Sequence, residues 1–160
     1  MKFVFVANNS IYNRTVRWFE GGDYGHCAIV DGDRVIEPVW HDGVRVRSLQ
    51  GLLNDSTYSV LYDIQLPNEQ AALDFARAQV GKPYDKWGIV GFAFGRDWQD
   101  DSDWYCSELL GTTLDRGGFE LEGKHAYARV GVRLMTEFSQ WLAGSQKYLL
   151  STLDPQAQAA

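Results

Sequence analysis

The segment GHCAIVDGDRVIEPV, residues 25–39, carries the strongest local signal in the sequence. Asp31 and Gly32 stand between two runs rich in β-branched residues, a leading sign of a two-residue type I′ hairpin turn. If these two residues form the turn, the ladder that they begin places His26 directly opposite Glu37. Directly opposed residues of an antiparallel pair share one face of the sheet. We therefore predict that the two side chains touch.

The predicted pair has two interpretations. A carboxylate beside an imidazole favours the protonated ring and fixes its orientation, as a catalytic base requires. The same contact is also typical of an ordinary cross-strand ion pair, which contributes roughly a few tenths of a kcal/mol at a surface. Strand alternation places Cys27 on the other face from His26. We therefore expect Cys27 to be a core thiol that does not pair with Cys106 if Cys106 lies near His26.

Strand and helix signals occupy different halves of the chain. Short β-rich runs lie at 2–7, 25–30, 34–39, 44–48 and 58–66. Capped helical patterns lie at 67–81, from near Asp103 to Gly117–Gly118, and at 134–144. Residues 81–101 have four glycines and no clean period, so we interpret them as a long ordered loop. This segregation predicts an α+β domain with an antiparallel sheet.

Length and charge narrow the functional classes. The 160 residues predict one domain over 1–153, followed by a frayed tail at 154–160. The net charge of −6 disfavours nucleic acid and anionic membrane as partners, and Arg45 and Arg47 alternate with valines as the polar face of a strand does. No apolar stretch suits a signal peptide or a bilayer span, so we expect a cytoplasmic product with free thiols. A role outside the cell would require lysis, a dedicated secretion device or a particle.

The segment DSDWYCSELL, residues 101–110, places Cys106 at a predicted helix start, with Asp103 or Ser102 as the expected N-cap. The positive end of the helix dipole and its free N–H groups favour a thiolate and suit an oxyanion. However, Cys106 also shares its helical stripe with leucines, as a buried structural thiol would. Periodicity supports the two interpretations equally.

Four segments in order resemble the circularly permuted branch of the NlpC/P60 superfamily of papain-like cysteine hydrolases, and within it the YiiX/YaeF-like group. They are GHCAIVDGDRVIEP, HDGVRVRSLQGLL, QVGKPYDKWGIV and WYCSELL. The resemblance covers roughly residues 20–115. It implies a papain-like core in which a small antiparallel sheet packs against the cysteine-bearing helix. It also implies Cys106 as nucleophile, His26 as general base and Glu37 as the residue that orients it. Tyr84 and Tyr105 lie where the family's substrate pocket forms.

The implied activity is that of a thiol hydrolase of the amidase or peptidase type, which acts through an acyl-enzyme and needs no cofactor. We expect a peptide, amide or ester substrate, with cell-wall peptides as one class. The alternatives are a non-catalytic binding or particle component with the same fold, and a lipid acyltransferase or esterase. A metal site built from His26, His41 and Glu37, with Cys27 or Cys106, is a weaker rival because no HExxH or CxxC spacing is present.

Overall fold

The computed structural model describes residues 1–84, 104–119, 131–142 and 148–150. Their elements, in chain order, are β1 (Lys2–Ala7), α1 (Ile11–Glu20), β2 (His26–Asp31), β3 (Arg34–Val39), β4 (Gly43–Ser48), α2 (Leu49–Asn54), β5 (Tyr58–Asp63), α3 (Glu69–Ala78), α4 (Cys106–Arg116), α5 (Val132–Leu142) and β6 (Tyr148–Leu150). The strands pair antiparallel in the order β4-β3-β2-β1-β5-β6. The predicted α+β class with an antiparallel sheet is therefore confirmed.

The structure adds two helices to those predicted and corrects one cap. α1 begins after Ser10, whose side chain accepts a hydrogen bond from the Asn13 N–H. This helix was not predicted, because many of its residues are β-branched or aromatic and have low helix propensity. α2 has six residues and is also absent from the prediction. The N-cap of α4 is Tyr105 and makes no side-chain cap bond, so the predicted caps Asp103 and Ser102 are wrong. Residues 85–101 of the predicted loop, and the predicted tail, lie outside the described residues.

The turn of the β2–β3 hairpin lies one residue later than predicted, which changes the register of the two strands by two residues. Asp31 pairs with Arg34 and Ile29 pairs with Ile36, which makes Gly32 and Asp33 the turn. Gly32 has φ of 62°, and no other type of residue in the described part of the chain has positive φ. A type I′ turn at 31–32 would force Asp31 into that costly region, whereas a type II′ turn requires it of the glycine alone. A shift of two residues leaves every side chain on its own face.

Each face of the sheet carries an apolar layer. On one face, Phe3, Phe5 and Cys27 pack with Leu109 and Leu110 of α4. On the other face, a smaller layer joins β1, β2 and β3 to α2; its members are Val4, Val6, Ala28, Val30, Val35, Leu52 and Leu53. α4 therefore lies across the larger layer, as predicted, with Cys106 as its first residue. Among the helices that the structure describes, none combines the length and apolar character needed to cross a membrane.

The close approach of a glycine fixes the start of α4 relative to the sheet. Gly43 has φ of 69°, and a Cβ there would lie 2.2 Å from the Lys82 carbonyl oxygen. That same carbonyl accepts a hydrogen bond from the Val44 N–H at 2.8 Å. One residue later, the Pro83 carbonyl accepts from the Trp104 N–H at 3.1 Å, two residues before Cys106. The chain that leads into α4 is thus bound to the end of the β3–β4 hairpin.

Candidate active site

His26 is the first residue of β2, and its Nε2 lies 2.8 Å from Oε2 of Glu37. The predicted contact is therefore present, although the two residues are not directly opposed in the ladder. Glu37 is 1% exposed and the side chain of His26 is 12% exposed. Because Glu37 takes Nε2, the other ring nitrogen, Nδ1, is left for the side chain of Cys106.

The second oxygen of Glu37 is held by two arginines of β4. Nε and Nη2 of Arg45 donate to Oε1 at 3.0 and 2.9 Å, and Nε of Arg47 lies 3.0 Å from the same oxygen. From the sequence, Arg45 and Arg47 were interpreted as the polar face of a strand, and their contacts with Glu37 were not predicted. The register of the β3–β4 hairpin, which places Arg45 opposite Glu37, is the signal that would have revealed them.

Cys106 is 3% exposed and interacts with the side chains of both His26 and Cys27. Cys27 is fully buried among core residues, as expected of a core thiol, and both cysteines are free. The expectation that Cys27 does not pair with Cys106 is confirmed in that the two thiols form no disulfide, but the interaction between their side chains was not predicted. Strand alternation separates His26 and Cys27 onto two faces, but Cys106 lies at the start of β2, where it reaches the first two side chains of that strand.

The electrostatics favour a thiolate at Cys106 and an imidazolium at His26. Hydrogen bonding from the Cys27 thiol is the largest influence on Cys106, and together with His26 it outweighs burial and holds the pKa of Cys106 well below its ordinary value. Burial is the largest influence on His26 and opposes its charge, but contacts with Cys106 and Glu37 outweigh it and raise the pKa of His26 to about 10. Burial raises the pKa of the Cys27 thiol, so Cys27 remains the proton donor.

Glu37 remains ionised beside this pair. Burial is the largest single influence and would raise its pKa, but the contacts with His26, Arg47 and Arg45 together lower the pKa of Glu37 to about 2. A chain of charged contacts therefore runs from the arginines through Glu37 and His26 to Cys106. This is the arrangement that an activated thiol nucleophile requires.

A cavity of about 760 Å³ opens onto Cys106, His26 and Glu37. Tyr105, predicted to bind substrate, lines it, whereas Tyr84 is not among the lining residues that the structure describes. Tyr84 is buried, and its hydroxyl is hydrogen-bonded to that of Tyr12, which does line the cavity. Tyr84 thus lies behind the wall and supports a residue that sequence reasoning missed.

The side chains around Cys106 do not fit a bound metal ion. Among the described residues, no group of three or more His, Cys, Asp or Glu side chains is arranged to hold one. Glu37 has one oxygen on His26 and the other on two guanidinium groups. A cation at this carboxylate would have to displace those contacts and approach two positive charges.

No protein-family model and no curated protein matches the sequence. Among solved structures, the chain is similar to the crystal structure of the metalloprotein YiiX from Escherichia coli O157:H7, DUF1105, with a TM-score of 0.58 and 19% sequence identity. The match covers 97% of this chain and 92% of that one. At this identity the likeness concerns the fold, and it agrees with the predicted YiiX-like, papain-like α+β architecture.

Proposed function

We propose that the protein is a cysteine hydrolase of the amidase or peptidase type, related to the permuted NlpC/P60 enzymes. The observation that carries the proposal is the interaction of Cys106 with His26, whose Nε2 lies 2.8 Å from the buried carboxylate of Glu37. A thiol and an imidazole that favour their charged forms, and that lie at the edge of a cavity, form the constellation used for acyl transfer. Cys106 is assigned as nucleophile, His26 as general base and acid, and Glu37 as the residue that orients the ring.

The proposed reaction has two steps. The Cys106 thiolate attacks the carbonyl carbon of an amide or ester, and backbone N–H groups at the start of α4 stabilise the oxyanion. As the tetrahedral intermediate collapses, the His26 imidazolium gives its proton to the departing amine or alcohol, and a thioester remains on Cys106. Neutral His26 then takes a proton from water, which attacks the thioester and releases the carboxylic acid.

The YiiX structure is described as that of a metalloprotein. In this chain the residues around Cys106 do not fit a metal, because the Glu37 oxygens are already engaged by His26, Arg45 and Arg47. The proposed mechanism accordingly relies on the side chains named above and includes no metal-dependent step.

Alkylation of the native protein by iodoacetamide from pH 5.5 to pH 10, followed by peptide mass analysis, tests the ion pair. We expect Cys106 to react quickly near neutral pH, with little further gain above pH 7, while Cys27 stays protected. An unactivated thiol would instead gain reactivity through about pH 8.5. His26→Ala should abolish the fast reaction at neutral pH, and Glu37→Gln should slow it.

The variants separate the proposal from its alternatives. Equal rates in the wild type, His26→Ala and Glu37→Gln would refute the assignment of the triad. Slow labelling of wild-type Cys106 that increases only above about pH 8 would favour a non-catalytic protein with the same fold.

A further inference from the structure

We propose that the cavity beside Cys106 accommodates the acyl side of the substrate and selects an acyl group with a bulky apolar body. This inference rests on the proposed function and adds the class of substrate. The bond cleaved would be the amide or ester bond on the carbonyl side of that apolar group.

The first wall of the cavity is one face of α1. Seven residues of α1 line it, and two of them, Asn13 and Glu20, already bind the Val6 carbonyl oxygen and the Arg133 N–H. The other five are Ile11, Tyr12, Thr15, Val16 and Phe19, and their spacing of one, three or four residues places them along one side of the helix. Four of these five side chains are apolar or aromatic. A substrate group that extends from Cys106 along α1 would therefore contact a mainly hydrophobic surface.

The facing wall is also largely apolar. It comes from the end of β3 and the residue after it, from the residue before Cys106 and from the start of α5; its members are Pro38, Val39, Trp40, Tyr105 and Val132. The rings of Trp40 and Tyr12 approach to 6.0 Å between centroids and join the two walls. At about 760 Å³, the cavity is of the size that small-molecule sites usually have.

The arginines of the cavity do not offer a free positive charge for an acidic acyl group. Arg45 contacts Asp42 at 2.6 Å in addition to Glu37, and Arg47 contacts Asp55 at 2.7 Å in addition to Glu37. Binding a substrate carboxylate here would require these pairs to break. The charged lining residues are therefore engaged with one another or, in the case of Glu20, with the Arg133 N–H. Most of the remaining lining is apolar, which favours an apolar occupant.

Two series of activated esters test this inference. The first consists of p-nitrophenyl acetate, butyrate and octanoate, and the second of the p-nitrophenyl esters of N-acetylglycine and N-acetylphenylalanine. We expect kcat/KM to increase about tenfold or more from the smallest to the largest member of a series, since each well-packed apolar group gives roughly tenfold or more in selectivity. The steeper series shows whether the apolar group is a fatty acyl chain or a hydrophobic amino-acyl residue.

Adjacent residues of α1 provide a matched pair of variants. Phe19 lines the cavity and is 51% exposed, whereas Trp18 is 82% exposed and is not among its lining residues. Because both side chains are exposed, neither Phe19→Ser nor Trp18→Ser should impair folding. Phe19→Ser should lower kcat/KM for the largest ester of a series more than for the smallest, and Trp18→Ser should change neither.

The outcomes distinguish this inference from the proposed function. If mass analysis finds Cys106 acylated, but kcat/KM is the same across both series or Phe19→Ser behaves like Trp18→Ser, the selection of an apolar group is refuted and the hydrolase proposal stands. If none of the esters acylates Cys106, the proposed function fails and the inference fails with it.

Discussion

Glu37 shows how one buried carboxylate can organise a site. It is 1% exposed, yet its oxygens contact three basic side chains, those of His26, Arg45 and Arg47. Removing a carboxylate from water is unfavourable unless such partners compensate for the lost hydration. Here they do so well enough to lower the pKa of Glu37 to about 2. The protonation of Glu37 is thus coupled to the stability of the folded state.

This coupling predicts how stability depends on pH. The ordinary pKa of this carboxyl is 4.5 and the folded value is about 2, so its contribution is complete above pH 4.5 and disappears as the pH falls towards 2. Such a shift corresponds to about 3 kcal/mol in the free energy of unfolding. We expect urea denaturation at pH 6, 4.5, 3.5 and 2.5 to show this loss in the wild type and a shallower loss in Glu37→Gln.

The quantity to compare is the slope of the free energy of unfolding against pH. The absolute free energy is not suitable, because Glu37→Gln also leaves two arginines without their buried partner. Glu137→Gln removes an exposed carboxylate from α5 and serves as the control, since its ion pair is with Arg133 of the same helix. Parallel curves for the wild type and Glu37→Gln would show that Glu37 is not the group responsible.

At the level of single residues, the sequence predicted the contact across the β2–β3 hairpin, but not the arginine contacts across the β3–β4 hairpin or the contact between β2 and α4. His26 and Glu37 could be paired from turn chemistry, because they belong to consecutive strands. The contact of Cys27 with Cys106 could not, because it depends on where α4 packs against β2. The roles proposed for Cys106, His26 and Glu37 remain predictions until the alkylation experiment is done.

At the scale of elements, the hairpin of β2 and β3 explains why a wrong register still gave a correct contact. The turn lies at Gly32–Asp33 and not at Asp31–Gly32, so the register differs by two residues. Since side chains alternate with a period of two, only a one-residue error would have moved Glu37 to the other face. The helix α1 was missed because its formation depends on packing beside the sheet and not on the propensity of its residues.

A comparison of two glycines with similar φ angles tests whether the contact between the start of β4 and Lys82 stabilises the protein. Gly32 has φ of 62° and no atom within 4 Å of the point that a Cβ would occupy, whereas Gly43 has φ of 69° and the Lys82 carbonyl oxygen at 2.2 Å from that point. Gly32→Ala should therefore cost only the strain of the left-handed conformation, about 1–2 kcal/mol. Gly43→Ala should cost clearly more, because the segment that leads into α4 must move. Urea denaturation measures both, and equal losses would show that the contact at Lys82 is unimportant.

For the molecule as a whole, the separation of strand and helix signals was sufficient to predict the α+β class. It was not sufficient to predict the order of strands. β1 lies between β2 and β5, and its pairing of Lys2 with Asp63 joins residues that are far apart in the chain. Such long-range pairs leave no local pattern, because they follow from which apolar faces are buried together.

Cys27 should report the unfolding of the whole molecule. Cys27 is 0% exposed within the larger apolar layer, so in a Cys106→Ser background its alkylation in increasing urea should coincide with the loss of circular dichroism. Leu114→Ala, at a fully buried position of α4, should lower the free energy of unfolding by about 2–5 kcal/mol. The urea midpoints of Cys27 alkylation and of the circular dichroism should therefore fall together. Leu134→Ala, at a position 53% exposed, should move neither. Labelling of Cys27 well before the dichroism changes would contradict this, and would show that β2 and α4 separate before the rest of the sheet unfolds.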